Sequence, residues 1–202
     1  SAVKTYSVLV QEAGKCMSTT PSSVTIINAN ATGKPTTPAA LAAAPISEIG
    51  AKLTWTDNNT NEVGFEVYRS TVATSGFKYI ATVPANTVEY SDLTLSPITT
   101  YYYKIRSINT VGASTATLAA SATTNADITP PTAPGNLVAT AGHTIRLTWT
   151  ASTDNVKLNR YFVFRNGVLI DSTLSLGYTA LNLVGGQRYT FVVKAKDMSK
   201  NY

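Results

Sequence analysis

The chain contains 202 residues, of which 44% are hydrophobic and only 13% are charged. This composition is typical of a folded, core-forming protein and excludes a largely disordered one, and the length suffices for two ordinary domains. The formal net charge of +5 comes from scattered Lys and Arg residues with no adjacent basic pair, unlike the basic patch of nucleic-acid binders, so no nucleic-acid partner is predicted.

The first 35 residues precede a repeated unit and are predicted to form a β-hairpin. Two strand-like runs, residues 4–10 and 23–27, flank a turn that contains Gly14 and Cys16. This arrangement resembles the last two strands of bacterial immunoglobulin-like or PKD-like surface repeats. Cys16 is the single cysteine of the chain and has no histidine near it in sequence, so it is interpreted as a small apolar residue rather than a nucleophile.

A duplicated unit of roughly ninety residues fills most of the remaining chain. The tetrapeptide Leu-Thr-Trp-Thr occurs at residues 53–56 and again at 147–150, and each copy is followed by an Asp-Asn turn and an aromatic-rich strand. Each copy then closes with a strand that begins at a tyrosine, Tyr101 or Tyr189. Apolar and polar residues alternate with period 2 in these strands, and no sustained 3.6-residue apolar stripe is present. Each copy is therefore predicted to be an all-β sandwich.

The duplicated unit resembles the fibronectin type III domain. Trp55 and Trp149 look like the core tryptophan of that family's second strand. Residues 95–101 look like its Leu-x-Pro-x-Thr-x-Tyr corner, and residues 183–189 look like the same corner with glycine in place of proline. The resemblance implies that each corner tyrosine packs its ring inside while its hydroxyl group bonds to the backbone. It thus predicts seven structural core residues: Trp55, Trp149, Tyr101, Tyr189, Leu95, Pro97 and Leu183.

The predicted fold class is all-β, with tandem immunoglobulin-like (fibronectin type III) sandwiches and an N-terminal β-hairpin segment. The predicted boundaries place a partial immunoglobulin-like or PKD-like segment at 1–35 and fibronectin type III domains at 36–126 and 127–202. Pro130 and Pro131 are expected to stiffen the connection locally. The second copy stops before the family's last strand, strand G. Truncation explains such open ends, and the alternative is a strand supplied by another copy of the chain.

The chain offers few groups for catalysis. His143 is its one histidine and is predicted to lie in a hairpin turn, so a histidine-based triad or a multi-histidine metal site has no second member. The acidic residues are spread along strand ends and turns rather than paired as in a glycosidase. The Asp-Asn turns at residues 57–59 and 154–155 offer oxygen ligands for calcium, but turn stabilisation explains them more simply. No catalytic, cofactor-binding or metal-binding residue is predicted, and the protein is not predicted to be an enzyme.

Exposed aromatic rings would indicate a sugar-binding module, because sugars stack on flat aromatic surfaces. Both tryptophans are assigned to the core. Tyr68, Tyr79, Tyr102 and Tyr161 are candidates for outer faces, although most tyrosines of a sandwich are structural. A carbohydrate-binding function requires such rings to form a flat strip.

The predicted function is that of a non-catalytic spacer, scaffold or adhesion module within a larger protein. Residues 130–166 are similar to modules of secreted bacterial carbohydrate-active enzymes and surface proteins, which implies an extracellular or cell-surface location. The sequence has no run of 18 apolar residues, so no membrane span is predicted. Two alternatives stay open: a surface-filament subunit assembled head-to-tail by β-strand exchange, and a carbohydrate-binding accessory module of a polysaccharide-degrading enzyme. The predicted partners are neighbouring domains of the parent chain, with copies of itself or extracellular polysaccharide as alternatives.

Overall fold

The computed structural model describes residues 6–8, 22–24 and 33–202. The helices and strands of these residues are all β-strands, with no helix among them, and the strand pairings are all antiparallel. The predicted all-β fold class is thereby confirmed. The same residues contain no helix that is long and apolar enough for a bilayer span. The strands are β1 (Tyr6–Val8), β2 (Ser22–Val24), β3 (Ala39–Pro45), β4 (Ala51–Thr56), β5 (Gly64–Ser70), β6 (Lys78–Pro84), β7 (Glu89–Asp92), β8 (Thr100–Asn109), β9 (Gly112–Ala113), β10 (Ala120–Thr123), β11 (Gly135–Ala141), β12 (Ile145–Thr150), β13 (Leu158–Arg165), β14 (Val168–Thr173), β15 (Gly177–Ala180) and β16 (Phe191–Asp197).

The predicted N-terminal hairpin pairing is present in the described residues. Strand β1 runs antiparallel to β2, with Tyr6 opposite Val24 and Val8 opposite Ser22. The turn with Gly14 and Cys16 lies outside the described residues. The interpretation of this segment as part of an immunoglobulin-like or PKD-like repeat stays a prediction.

The chain divides into two compact units, the first extending to Thr124 and the second comprising Ser96–Ile98 and Asn125–Tyr202. The first unit contains the sheet β3-β4-β7 and the sheet β10-β8-β5-β6, to which β9 adds on β8. The second unit contains the sheets β11-β12-β15 and β14-β13-β16. Each unit thus contains one pair of antiparallel sheets, called the first and second sandwich below, and the first unit also includes the hairpin β1-β2.

Alternation along β8 shows how the sequence builds the core of the first sandwich. Tyr101, Tyr103, Ile105 and Ser107 are buried, whereas the residues between them are less buried. Successive side chains of a strand point to opposite faces of its sheet, so the buried residues of β8 share one face. On that face they pack with residues of both sheets into one hydrophobic core cluster. The buried members of this cluster are Ala51, Leu53, Trp55, Phe65, Val67, Leu95, Tyr101, Tyr103, Ile105 and Ala122.

The core of the second sandwich has the same design with fewer buried members. Trp149 on β12 packs against Tyr161 on β13, with ring centroids 5.5 Å apart, as Trp55 packs against Phe65 at 5.6 Å in the first sandwich. Each pair joins the two sheets of its sandwich across the core. The buried cluster comprises Leu147, Trp149, Tyr161, Val163, Val193 and Ala195.

The prediction that Tyr161 lies on an outer face is wrong. Tyr161 is buried, and its hydroxyl oxygen accepts a hydrogen bond from the Ser152 N–H at 2.9 Å. The run Tyr161-Phe162-Val163-Phe164 has no polar residue to mark which side faces water. The pairing of Tyr161 with Ala195 and of Val163 with Val193 places both residues beside buried partners on β16.

The glycine at the start of β5 gives a prediction about packing. A methyl group at Gly64 would lie 2.5 Å from the Val83 carbonyl oxygen, which is backbone of the paired strand. Gly64→Ala is therefore expected to destabilise the first sandwich by about 1–3 kcal/mol, since the strand must shift to relieve the clash.

The matched control for this variant is Gly33→Ala, because a methyl group there meets nothing within 4 Å. Its free energy of unfolding is expected to stay within about 0.5 kcal/mol of the original or to rise slightly. In a Trp149→Phe background, urea denaturation followed by the emission of Trp55 measures both. Equal stability of the two variants would contradict the close approach of β5 and β6 at Gly64.

Candidate functional site

The seven predicted core residues occupy two kinds of position. Trp55, Leu95, Tyr101 and Trp149 are buried. Pro97, Leu183 and Tyr189 are only partly buried, and they belong to the corner turns rather than to the two buried clusters.

The second corner tyrosine has the backbone bond that the resemblance implies. The Val184 N–H donates to the Tyr189 hydroxyl oxygen at 2.9 Å. This contact closes the glycine-containing turn that precedes β16, and Tyr189 lies two residues before that strand rather than at its start as predicted. The guanidinium of Arg165 lies 5.7 Å from the centre of the Tyr189 ring and covers its face.

A buried polar network joins the two sheets of the first sandwich. Asp92, at the end of β7, accepts hydrogen bonds from Arg69 Nη1 at 2.7 Å and from the Tyr103 hydroxyl at 3.1 Å. Its second carboxylate oxygen accepts from the backbone N–H and the hydroxyl of Thr94. Burial and the nearby Asp92 carboxylate raise the pKa of Tyr103 far above its usual value, so this hydroxyl stays a donor. The network is structural, since it lies inside the core.

The outer face of the first sandwich carries a group of aromatic and charged side chains. Glu66 on β5 lies opposite Arg106 on β8, and Tyr68 on β5 lies opposite Tyr79 on β6. We call this group the outer-face cluster; it comprises Glu66, Tyr68, Phe77, Tyr79, Lys104 and Arg106.

Cations and edge-to-face contacts cover the rings of the outer-face cluster. Lys104 Nζ lies 4.6 Å from the centre of the Phe77 ring, and the Arg106 guanidinium lies 5.3 Å from the centre of the Tyr68 ring. Tyr68 and Tyr79 meet at an interplanar angle of 76°. These rings therefore do not form the flat strip that sugar stacking requires, and they act as cross-strand pairs that stabilise the sheet.

The second sandwich repeats this arrangement with other residues. Lys196 Nζ lies 4.3 Å from the centre of the Tyr202 ring and 5.5 Å from that of Phe162. Phe162 and Tyr202 meet at 64°. Lys194 lies over Phe164. Alternation of aromatic and basic residues on neighbouring strands is thus a shared feature of the two outer faces.

Hydrogen bonding shifts the pKa values of Glu66 and Tyr68 in the outer-face cluster. The Tyr68 hydroxyl and Arg106 Nε both donate to Glu66 Oε2 at 2.6 Å. The tyrosine bond and then the arginine lower the pKa of Glu66 from 4.5, and burial opposes them only in part. Burial and the bond to Glu66 raise the pKa of Tyr68.

The lowered pKa of Glu66 predicts how stability depends on pH. The Glu66 charge contributes fully to folding stability above the unfolded-state pKa of 4.5. This contribution is lost as the pH falls through the lower pKa of the folded state. Glu66→Gln is therefore expected to reduce stability at pH 7, and its difference from the original protein is expected to shrink as the pH falls below 4.5.

Urea denaturation at several pH values measures this difference. Glu89→Gln is the matched control, because Glu89 pairs with Lys52 on an exposed surface at 2.8 Å and such pairs contribute little. A difference for Glu66→Gln that does not change with pH would contradict the role of its charge.

The structure places His143, Asp57 and Asp154, the remaining residues weighed for catalysis or metal binding, in turns. His143 is exposed between β11 and β12. Asp57 accepts a hydrogen bond from the Asn59 N–H, and Asp154 accepts from the Val156 and Lys157 N–H groups. These bonds are the turn stabilisation expected for Asp-Asn sequences.

The chain is similar in sequence to parts of known enzymes. The chain is 30% identical to exoglucanase B of Cellulomonas fimi over 180 residues, which are 84% of the chain and 16% of that protein. It is 31% identical to chitinase A1 of Niallia circulans over 179 residues, which are 84% of the chain and 24% of that protein. The chain thus spans less than a quarter of the length of these relatives.

No family model matches the chain. Among solved structures, the crystal structure of FN3tt is similar, with 28% identity and a TM-score of 0.41 over 46% of the chain and 97% of that structure.

Proposed function

We propose that this chain is a non-catalytic, extracellular spacer module within a longer polysaccharide-degrading enzyme. The observation that carries the proposal is the similarity to an exoglucanase and a chitinase over 84% of the chain, which corresponds to only 16% and 24% of those two proteins. A segment shared by enzymes named for different substrates is more consistent with an accessory role than with either reaction.

The arrangement of reactive groups supports this proposal. The single histidine lies exposed in a turn. Glu66 and Asp92 are each bound to an arginine and a tyrosine within the first sandwich. These two carboxylates stabilise the sandwich, whereas a glycosidase needs one carboxyl group to protonate the substrate and a second to act as nucleophile or base.

The two separate cores support a spacer more specifically. Each sandwich buries its own tryptophan against an aromatic ring from its opposite sheet. A folded unit of this size holds neighbouring domains at a distance without collapsing, which a flexible linker of equal length does not do.

A binding assay separates the spacer from the carbohydrate-binding alternative. The purified chain is mixed with crystalline cellulose or colloidal chitin, and the soluble fraction and the released reducing sugars are measured. We expect the chain to stay in solution and to release no sugar. Saturable binding would replace the proposal by the carbohydrate-binding function, and sugar release would overturn the non-catalytic role.

A fusion experiment tests the spacer role itself. The chain joins a cellulase catalytic domain to a cellulose-binding module, and a Gly-Ser linker of 202 residues serves as the comparison. We expect higher activity on crystalline cellulose with the chain than with the linker. A control that carries Leu53→Ala and Leu147→Ala, one in each core, is expected to lose part of this advantage. Equal activity of all three fusions would contradict the proposal.

A further inference from the structure

Three carboxylates of the second sandwich meet at one end of the fold. Asp127 precedes β11, Asp154 lies between β12 and β13, and Asp197 is the last residue of β16. One carboxylate oxygen from each lies within 4.8 Å of the others. The cluster is not a surface feature, since Asp127 is 6% exposed and Asp197 is 0% exposed.

Backbone contacts hold the three segments together. The Thr132 N–H donates to the Thr153 carbonyl at 2.9 Å, and the Met198 N–H donates to the Lys157 carbonyl at 3.0 Å. Leu158 pairs with Asp197 in the sheet. These contacts fix the positions of the carboxylates before any ligand binds.

Two of the three aspartates have a buried oxygen that no hydrogen bond satisfies. Asp127 Oδ1 accepts from the Thr129 N–H and from Asn155 Nδ2, but Oδ2 is buried without a partner. Asp154 Oδ2 accepts from two backbone N–H groups, while its Oδ1 is also buried without a partner. Because a buried carboxylate oxygen without a donor is costly, these two oxygens are suited to binding a cation.

The described part of the chain supplies no cationic partner for these oxygens. Among the described residues, the ion pairs Lys52–Glu89, Arg69–Asp92 and Arg106–Glu66 lie in the first sandwich, and none of them involves these three aspartates. The contacts of Asp197 are neutral, since Oδ1 accepts from the Asn201 N–H and Oδ2 from Asn201 Nδ2. Three carboxylates thus face one another with amide donors alone around them.

The first sandwich provides an internal comparison. Asn109 ends β8 eight residues after Tyr101, just as Asp197 ends β16 eight residues after Tyr189. Asn109 Nδ2 donates to the Gly33 carbonyl at 2.8 Å and to the Asn61 carbonyl at 3.2 Å. A neutral amide therefore links the corresponding segments there. In the second sandwich Asp197 occupies this position, and its carboxylate has no N–H group to donate.

We propose that Asp127, Asp154 and Asp197 form a calcium-binding site that links three segments at one end of the second sandwich. All three ligands are carboxylate oxygens, which hard cations prefer. Two oxygens on one calcium ion lie at most roughly 4.6–5.2 Å apart, twice the bond length, and one oxygen of each aspartate lies within 4.8 Å of the others. Magnesium demands near-ideal octahedral geometry and keeps several waters, so a cluster of largely buried carboxylates suits calcium better.

Calorimetric titration of the full chain tests the site. After treatment with EDTA and dialysis, the chain is titrated with CaCl₂ and, separately, with MgCl₂. We expect one calcium per chain, weaker binding of magnesium, and a thermal midpoint of the second sandwich that rises with calcium concentration. Absence of calcium binding, or tighter binding of magnesium, would overturn the proposal.

Charge-neutralising variants locate the site. Asp127→Asn and Asp154→Asn are each expected to weaken calcium binding at least tenfold, because each removes an anionic ligand. Asp171→Asn makes the same charge change on an exposed part of β14 and is expected to bind calcium as the original chain does. Undiminished binding by both Asp127→Asn and Asp154→Asn would assign the ion elsewhere.

A stability measurement separates loss of the site from loss of the fold. In EDTA, Asp127→Asn is expected to be at least as stable as the original chain, since it relieves repulsion among the three carboxylates. At a calcium concentration close to the dissociation constant of the original chain, the original chain and Asp171→Asn are expected to gain more stability than Asp127→Asn. An equal gain by Asp127→Asn would contradict the proposal.

Discussion

Leu147→Ala is expected to destabilise the second sandwich by about 2–5 kcal/mol. Leu147 is 0% exposed and lies in the buried cluster with Trp149 and Tyr161. Truncation removes apolar contacts and leaves a cavity that the surrounding strands fill only in part. The small buried cluster offers few other side chains to close it.

The two tryptophans allow this effect to be measured in one sandwich. Trp55 and Trp149 are the only tryptophans of the chain and belong to different cores. In a Trp55→Phe background, urea denaturation followed by tryptophan emission reports on the second sandwich alone. Leu174→Ala in the same background is the control, because Leu174 is 74% exposed, and it is expected to change stability by no more than about 0.5 kcal/mol. Equal effects of the two leucine variants would contradict the assigned core.

Asp92→Ala is expected to destabilise the first sandwich by about 3 kcal/mol. Asp92 is 2% exposed and is the shared acceptor for Arg69 and Tyr103. Its removal leaves a mostly buried guanidinium without its counter-charge, which costs about 3–5 kcal/mol in fully buried pairs. The Arg69 side chain is 25% exposed, so water compensates in part and the lower end of that range applies.

Tyr103→Phe separates the charge from the hydroxyl contact. This variant removes one hydrogen bond and keeps the ring in the core, so a loss of about 1 kcal/mol is expected. Urea denaturation of the first sandwich, followed by Trp55 in a Trp149→Phe background, compares the two. If Tyr103→Phe cost as much as Asp92→Ala, the ion pair with Arg69 would not be the main contribution of Asp92.

The sequence by itself determined the repeated all-β architecture. The duplicated Leu-Thr-Trp-Thr segment and the period-2 alternation of residues 101–107 specify which residues share a face of a strand. In β8 the polar residues between the apolar ones also reveal which face is buried. Local alternation thus indicated most strands, whereas the burial of both tryptophans was implied by the resemblance to the fibronectin type III domain.

The tertiary structure decided the points at which local patterns are ambiguous or distant residues meet. The face of Tyr161 followed from the register of β13 on β16, because an uninterrupted apolar run carries no polar marker. Neither the contact between Arg69 and Asp92 nor the meeting of Asp127, Asp154 and Asp197 is encoded by spacing. The Asp-Asn turn offers oxygen ligands at Asp154, although turn stabilisation was preferred there and no metal site was predicted. Its two acidic neighbours come from the two ends of the second sandwich's sequence, and only the pairing of strands and the connecting turns brings the three carboxylates together.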